Sequence, residues 1–172
     1  MRLFFALWPD EMVRANLARQ RIDLARNSGG RPTRPATLHV TLVYLGEVSP
    51  DKLADAIAVG ESIDAPGFQY NIDLAGCYTS ANIAWMGSEE TPMELFILQE
   101  TILAAAHEIG FKTDPRTFRP HITVARDVTT PFASTEVNPT MWQISTFSLI
   151  ESRSTSVGAT YDIIQTWPLG GR

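Results

Sequence analysis

The sequence predicts an α+β fold built on antiparallel sheet, and three observations predict it. Helical and strand-like segments are mixed without the regular strand–helix–strand alternation of a parallel sheet. Two of the strand-like segments carry the same His-x-Thr pattern. A weak internal repeat also relates the two halves, each holding a helix, a basic loop, a His-x-Thr strand and then two further strands. Superposing His39 on His121 superposes Thr41 on Thr123, Val40 on Ile122, Leu42 on Val124 and Arg34 on Arg116. Identity elsewhere is poor, but the repeat predicts two similar lobes facing each other within one domain spanning residues 1–172, a length ordinary for one domain.

The elements follow in order. Residues 2–7, Arg-Leu-Phe-Phe-Ala-Leu, read as a short strand. An amphipathic helix begins after Pro9 and runs over 10–26, with apolar positions at Met12, Val13, Leu17, Ile22 and Leu24. Gly29, Gly30, Pro32 and Pro35 make a loop. Residues 37–45, rich in β-branched and aromatic side chains, form a strand. Ser49 followed by Pro50 starts a second helix that reaches about Ile63. Strands follow near 68–75 and 82–86, and a third helix spans about Pro92 to Ile109, ended by Gly110. A strand at 120–126 and two more near 142–151 and 159–166, separated by a turn at Gly158, complete the chain.

Composition bounds the function. The chain is 44% hydrophobic and 19% charged, which argues for a packed globular protein and against disorder. The single Cys77 cannot form an internal disulfide and reads as a small strand residue in a reducing compartment. The opening apolar run stops at Trp8 and meets Pro9, Asp10 and Glu11 with no cleavage-site pattern, so no signal peptide is expected. No apolar stretch approaches the roughly 20 residues of a membrane span. A cytoplasmic monomer is the expectation. The net charge of −5 lacks the excess that long nucleic acid requires. A phosphate-bearing ligand must meet a local basic patch, which points to a small nucleotide or the end of an RNA strand.

Side chains in a strand alternate faces, so His39 shares a face with Thr41, and His121 with Thr123. If the two strands pair across a pseudo-twofold cleft, two imidazoles and two hydroxyls converge on a volume suited to a phosphate. Cleaving a phosphodiester needs a base for the attacking oxygen and an acid for the departing one. Histidine titrates near neutrality, so one imidazole can serve as each. Threonine hydroxyls can donate to non-bridging phosphate oxygens as charge builds. One His-x-Thr arises easily by chance. Two of only three histidines in matching strands, each preceded by a basic loop, do not. No Asp, Glu or Cys has ligand spacing around either histidine, so neither metal nor cofactor is expected. The third histidine, His107, lies near a helix C-terminus, where a cation suits the dipole, and reads as structural or solvent-facing.

The segments Leu38-His39-Val40-Thr41-Leu42-Val43-Tyr44-Leu45-Gly46-Glu47-Val48 and Arg119-Pro120-His121-Ile122-Thr123-Val124-Ala125-Arg126 resemble the paired signatures of the two-histidine (2H) phosphoesterases. The opening Arg-Leu-Phe-Phe-Ala-Leu-Trp-Pro and the stretch from Ser152 to Tyr161, with Trp167-Pro168-Leu169 beyond it, resemble the RNA 2′,3′-cyclic phosphodiesterase branch, also called 2′-5′ RNA ligases. The resemblance covers essentially the whole chain. It implies a bilobal, pseudo-twofold fold with two antiparallel sheets lining a central cleft and helices packed outside. It implies hydrolysis of a terminal 2′,3′-cyclic phosphate to a 2′-phosphate, with His121 activating water and His39 protonating the departing 3′-oxygen. Some relatives join RNA ends, a 5′-hydroxyl replacing water.

The resemblance also implies Arg126 as a phosphate or nucleotide contact, although strand parity puts it opposite His121. Arg119 has the right parity and is a second candidate. Six basic residues, Arg31, Arg34, Lys112, Arg116, Arg119 and Arg126, cluster near the motifs. For base stacking, Phe118 and Tyr161 are the candidates, while parity turns Tyr44 away from His39. Arg153 stands where an apolar residue would be expected. The leading reading is an enzyme acting on RNA 3′ ends or small nucleotides bearing a cyclic phosphate. The competing readings are a sister enzyme for 2′-5′ oligoadenylate or an ADP-ribose cyclic phosphate, and a non-catalytic RNA-end binding module. Binding alone does not call for two titrating groups, which disfavours the last.

Overall fold

The computed structural model describes residues 1–114, 116–156 and 158–170. Among these, the first half contains β1 (Arg2–Leu7), α1 (Glu11–Ser28), β2 (Arg31–Pro32), β3 (Val40–Glu47), α2 (Leu53–Ser62), β4 (Phe68–Tyr78) and β5 (Ile83–Gly87). The second contains α3 (Met93–Ile109), β6 (Ile122–Arg126), β7 (Thr135–Ile144), β8 (Thr146–Thr155) and β9 (Gly158–Pro168). The α+β expectation holds.

Local chemistry sets the helix limits. Asp10 caps α1 by accepting from the Val13 amide at 2.9 Å. Gly29 ends α1 at φ 62°, where a side chain would also collide with Thr129. The helix expected after Ser49 begins as a 3-10 turn over Pro50–Lys52 and becomes α-helical only from Leu53.

All the strand pairs are antiparallel, in the order β7-β4-β5-β6-β3-β1-β8-β9, with β2 also on β6. The two sheets expected from sequence are therefore halves of one sheet. They are joined by a single residue pair, Val40 opposite Ile122. Beyond Ile122 the same edge of β6 is occupied by Arg31 and Pro32, and the Thr33 amide bonds to the Val124 carbonyl at 2.9 Å. With that edge taken, β3 and β6 splay apart, and the gap between them is the cleft.

The halves of the sheet are not the halves of the sequence, contrary to the simple reading of the repeat. The His39 half is β3, β1, β8 and β9, and the His121 half is β6, β5, β4 and β7. Hairpins β4–β5 and β8–β9 each joined the half whose open edge they could pair. The strand at 135–144 was missed because Pro139 and its polar surroundings mask it, and the expected strand at 142–151 is in fact the end of β7 and most of β8, divided at Ser145.

The core lies on the side of the sheet away from the cleft. Leu3, Phe5 and Leu7 of β1 point into it together with Val40, Val43, Ile122 and Val124. Helix α1 packs against β6 and β7, α3 against β3, and α2 against α3, β8 and β9. On the cleft side, Phe4, Ala6 and Ile150 form a smaller apolar floor with Trp8 and Tyr161. Among the described residues, no helix is long and apolar enough to cross a membrane.

Candidate active site

Each histidine sits one residue before its strand, not within it as the sequence suggested. That position gives both rings the same anchor. His39 Nδ1 lies 2.7 Å from the Thr37 carbonyl, and His121 Nδ1 lies 2.7 Å from the Arg119 carbonyl. A carbonyl oxygen only accepts, so Nδ1 carries the proton in each ring and Nε2 is left for chemistry. His39 Nε2 is 3.1 Å from Thr41 Oγ1, so the shared face expected from strand parity is real.

The antiparallel register around Val40 and Ile122 sets Thr41 opposite His121 and His39 opposite Thr123. Those four side chains lie on the cleft face, while Val40 and Ile122 are fully buried beneath them. The cleft encloses about 1040 Å³, and its lining includes His39, Thr41, His121, Thr123, Arg119 and Arg126.

The two rings differ in surroundings. His39 is held among aromatics: Trp8 stacks on it at 5.3 Å and 14°, Phe4 lies at 5.1 Å, and Tyr161 meets it edge-on at 5.2 Å. Burial there disfavours the charged form and pulls the His39 pKa down to about 4, partly offset by the Thr37 carbonyl, with His121 and Arg126 adding repulsion. His121 has one such neighbour, Tyr78, edge-on at 5.2 Å. Burial lowers its pKa as well, opposed by the bond to Arg119 and assisted by the charge of Arg126.

Arg126 reaches the cleft by a route that simple alternation does not provide. Along β6, Thr123 pairs with Trp85 but Ala125 pairs with Ala84, so Val124 is an extra residue on its strand. Such a bulge inverts the parity beyond it. Val124 and Ala125 are both buried, and Arg126 returns to the side of His121. The same device occurs in β3. Thr41 pairs with Ala6 but Val43 pairs with Phe5, leaving Leu42 extra, and Leu42 and Val43 are both buried. Tyr44, paired with Phe4, therefore lies on the cleft face and lines the cavity, which corrects the expectation that it points away.

Of the six clustered basic residues, Arg31 is paired with Asp127 at 3.0 Å, Arg116 with Asp114, and Arg34 with the Ala159 carbonyl. Lys112 is not part of the cavity wall. Arg119 and Arg126 carry no ion pair or side-chain hydrogen bond among the described residues, so their charge is available to the cleft. His107 bonds through Nε2 to Thr113 at 2.7 Å. Arg153 is held by Glu151 at 2.7 Å and Asp162 at 3.4 Å, which accounts for a cation at that position. Cys77 sits in β4 opposite Ala84.

Tyr161 reaches the site as expected, but its ring is engaged with Phe4, Trp8 and His39. Phe118 lines the cavity and packs edge-on against Phe96 at 5.9 Å. Sequence reasoning missed Phe4, Trp8 and Tyr78. Alternation within β1 could have flagged Phe4, since Leu3 and Phe5 take the core face. Among the described residues, no group of three or more His, Cys, Asp or Glu side chains is placed to hold a metal ion.

Comparisons with known proteins bear on this site. The family profile "LigT like Phosphoesterase" matches residues 7–85. The RNA 2′,3′-cyclic phosphodiesterase of Escherichia coli is 33% identical over 126 residues, covering 73% of this chain and 72% of that protein. The protein of that name from Thermus thermophilus is 28% identical over 182 residues, covering 99% of this chain and 91% of its own. The crystal structure of E. coli LigT complexed with 3′-AMP superposes with a TM-score of 0.88 at 28% identity, covering 99% of this chain and 98% of the other. E. coli LigT has also been solved in complex with ATP, with a TM-score of 0.83. With a sequence one-third identical to that relative and a fold that superposes over nearly the whole chain, this chain belongs to the LigT-like phosphoesterases of the 2H superfamily, the family of the RNA 2′,3′-cyclic phosphodiesterases.

Proposed function

We propose that this protein hydrolyses terminal 2′,3′-cyclic phosphates on RNA to 2′-phosphates, with His39 and His121 as an acid–base pair in one bilobal domain. The observation that carries the proposal is the matched anchoring of the two imidazoles. Each Nδ1 is bonded to the carbonyl two residues back, so each Nε2 is the nitrogen left to exchange a proton in the cleft, that of His39 beside the Thr41 hydroxyl.

In the reaction, His121 takes a proton from water as its oxygen attacks phosphorus. The bond from phosphorus to the 3′-oxygen breaks, and His39 delivers a proton to that oxygen. The 2′-ester bond remains. Thr41 and Thr123 donate to the non-bridging oxygens, and Arg126 and Arg119 offset their negative charge. In this order His39 must be protonated once substrate is seated. Burial, with repulsion from His121 and Arg126, holds its pKa at about 4, so the bound phosphate's negative charge has to favour the imidazolium.

A second reading, joining of RNA ends through a 2′-5′ linkage, uses the same groups with a 5′-hydroxyl in place of water. Substrates such as 2′-5′ oligoadenylate or an ADP-ribose cyclic phosphate are favoured by one observation: solved structures of E. coli LigT hold ATP and NADP+ as well as 3′-AMP. Mass analysis of the products from an oligonucleotide ending in a 2′,3′-cyclic phosphate, with EDTA present, tests the proposal. The expected product is the 2′-phosphate. His39→Ala and His121→Ala should each remove most turnover, since general acid–base catalysis contributes roughly 100- to 10,000-fold. Substantial turnover by either variant refutes the pair.

A further inference from the structure

A hydrogen bond at Nδ1 fixes where an imidazole is hinged, but not how far the ring turns about that bond. For His39 the turn is blocked by three rings, with Trp8 stacked on its face and Phe4 and Tyr161 against it. His121 has the same hinge, to the Arg119 carbonyl. Among the described residues, however, Tyr78 is the one ring in contact with it. The histidine that activates water is thus the one with less to hold it.

Tyr78 is itself held. It ends β4, and its ring stacks on Trp85 of β5 at 5.2 Å and 27°. The indole lies low over two positions that carry no side chain. A Cβ at Gly76 would stand 2.6 Å from it, and one at Gly87 would stand 3.3 Å away. Gly76 faces Trp85 in the β4–β5 ladder, and Tyr78 follows two residues on, on the same face. The spacing Gly76-x-Tyr78 opposite Trp85-x-Gly87 therefore lets the indole settle on the sheet and press against the phenol. The phenol meets His121 at 5.2 Å and 87°, the edge-to-face geometry that ring pairs prefer. Burial raises the Tyr78 pKa, against the charge of Arg119, so the ring acts through its shape and adds no charge to the cleft.

Resting on the reading of His121 as one of an acid–base pair, we propose that Tyr78, braced by Trp85, is the positioning residue for His121. It stops the imidazole from turning about its bond to Arg119 and so keeps Nε2 aimed at the phosphorus centre. His39 needs no such single support.

Two measurements on wild type, Tyr78→Ala and Tyr78→Phe test this. With adenosine 2′,3′-cyclic phosphate as substrate, the Ala variant is expected to lose up to roughly 100-fold in kcat, as a small misplacement of a reacting group does. KM changes little, and Phe restores kcat. The second measurement is the tautomer of each histidine, read from carbon-bound ring protons by NMR at alkaline pH, where both rings are neutral. Wild type holds His121 with its proton on Nδ1. In Tyr78→Ala that ring shifts toward the Nε2–H form that free imidazole side chains favour in water, while His39 keeps its own. An unchanged kcat overturns the proposal, and so does a Phe variant as slow as Ala, which would put the hydroxyl rather than the ring to work. A tautomer shift in both histidines together also overturns it, because the damage is then general. Should Tyr78→Ala fail to fold, Gly76→Ala decides: its methyl displaces Trp85 from outside the cleft, and kcat must fall with KM kept. If the wild type does not hydrolyse the ester, the reading of the reaction fails by itself, and the His121 tautomer alone upholds or overturns the positioning role.

Discussion

His39 has its ring plane fixed twice, by the bond from Nδ1–H to the Thr37 carbonyl and by the indole of Trp8 stacked on its face. Arg14 lies over the Trp8 ring in turn, its guanidinium carbon 5.8 Å from the ring centroid. Replacing Trp8 with Leu admits water to an imidazole whose low pKa comes mainly from burial, so the His39 pKa must rise toward the ordinary histidine value. An NMR titration of the His39 ring measures this directly, with Trp8→Phe retaining most of the effect. No movement in Trp8→Leu would assign the depression to Phe4 and Tyr161 instead. The pair also sets the pH response. The proposed acid–base pair needs one ring neutral and the other protonated, and both pKa values lie below the usual 6.5, that of His39 at about 4. The curve of kcat/KM against pH should therefore be a bell centred on the acid side of 6.5, whichever ring is the base. The curve for kcat should move toward neutrality, because bound phosphate favours both imidazolium forms. A maximum in kcat/KM on the alkaline side, with chemistry rate-limiting, contradicts the pair.

Among the elements, β3 and β6 do the positioning. Each is an edge partner that loses its neighbour after one residue pair and bulges soon after, a combination that points a threonine and then a fifth-position residue into the same gap. Helix α2 approaches β9 closely. At Gly60 any side chain would run into the Trp167 ring, itself stacked on Phe147 at 5.3 Å. Gly60→Val is thus expected to destabilise the protein by about 1–3 kcal/mol, as overpacking of a full core does. Urea or thermal unfolding measures it. An unchanged midpoint would mean that α2 can slide away from β9 without loss.

Over the whole molecule, the site exists because strands from distant parts of the chain finish each half of the sheet. β8 and β9 support β1 and supply Tyr161 to His39, while β4 and β5 support β6 and supply Tyr78 to His121. Parity within a strand made the two His-x-Thr faces legible from sequence, since alternation is a property of the backbone alone. The end of α3 at Gly110 was legible for the same reason: the bonds that close it lie within one turn. The fate of Arg126 was half legible, as a charge that belonged in the cleft but had the wrong parity. Tyr44 was misread because a bulge depends on how two strands share hydrogen bonds, which neither strand encodes by itself. Phe4 and Trp8 were missed as neighbours of His39 because β1 meets β3 only through a pairing between segments some forty residues apart in sequence.

By itself, then, the sequence determined which residue types could do acid–base chemistry on a phosphate, that they came in two matched copies, and which side chain accompanied which along each strand. The tertiary structure decided that the copies meet at a single residue pair, which strands complete each half, and that a tyrosine and an arginine end up as unlike partners across one cleft. The division has a physical cause. Alternation and capping are local and repeat wherever the backbone does, whereas register, bulges and the exchange of hairpins between halves follow from competition among distant segments for the same hydrogen-bonding edges.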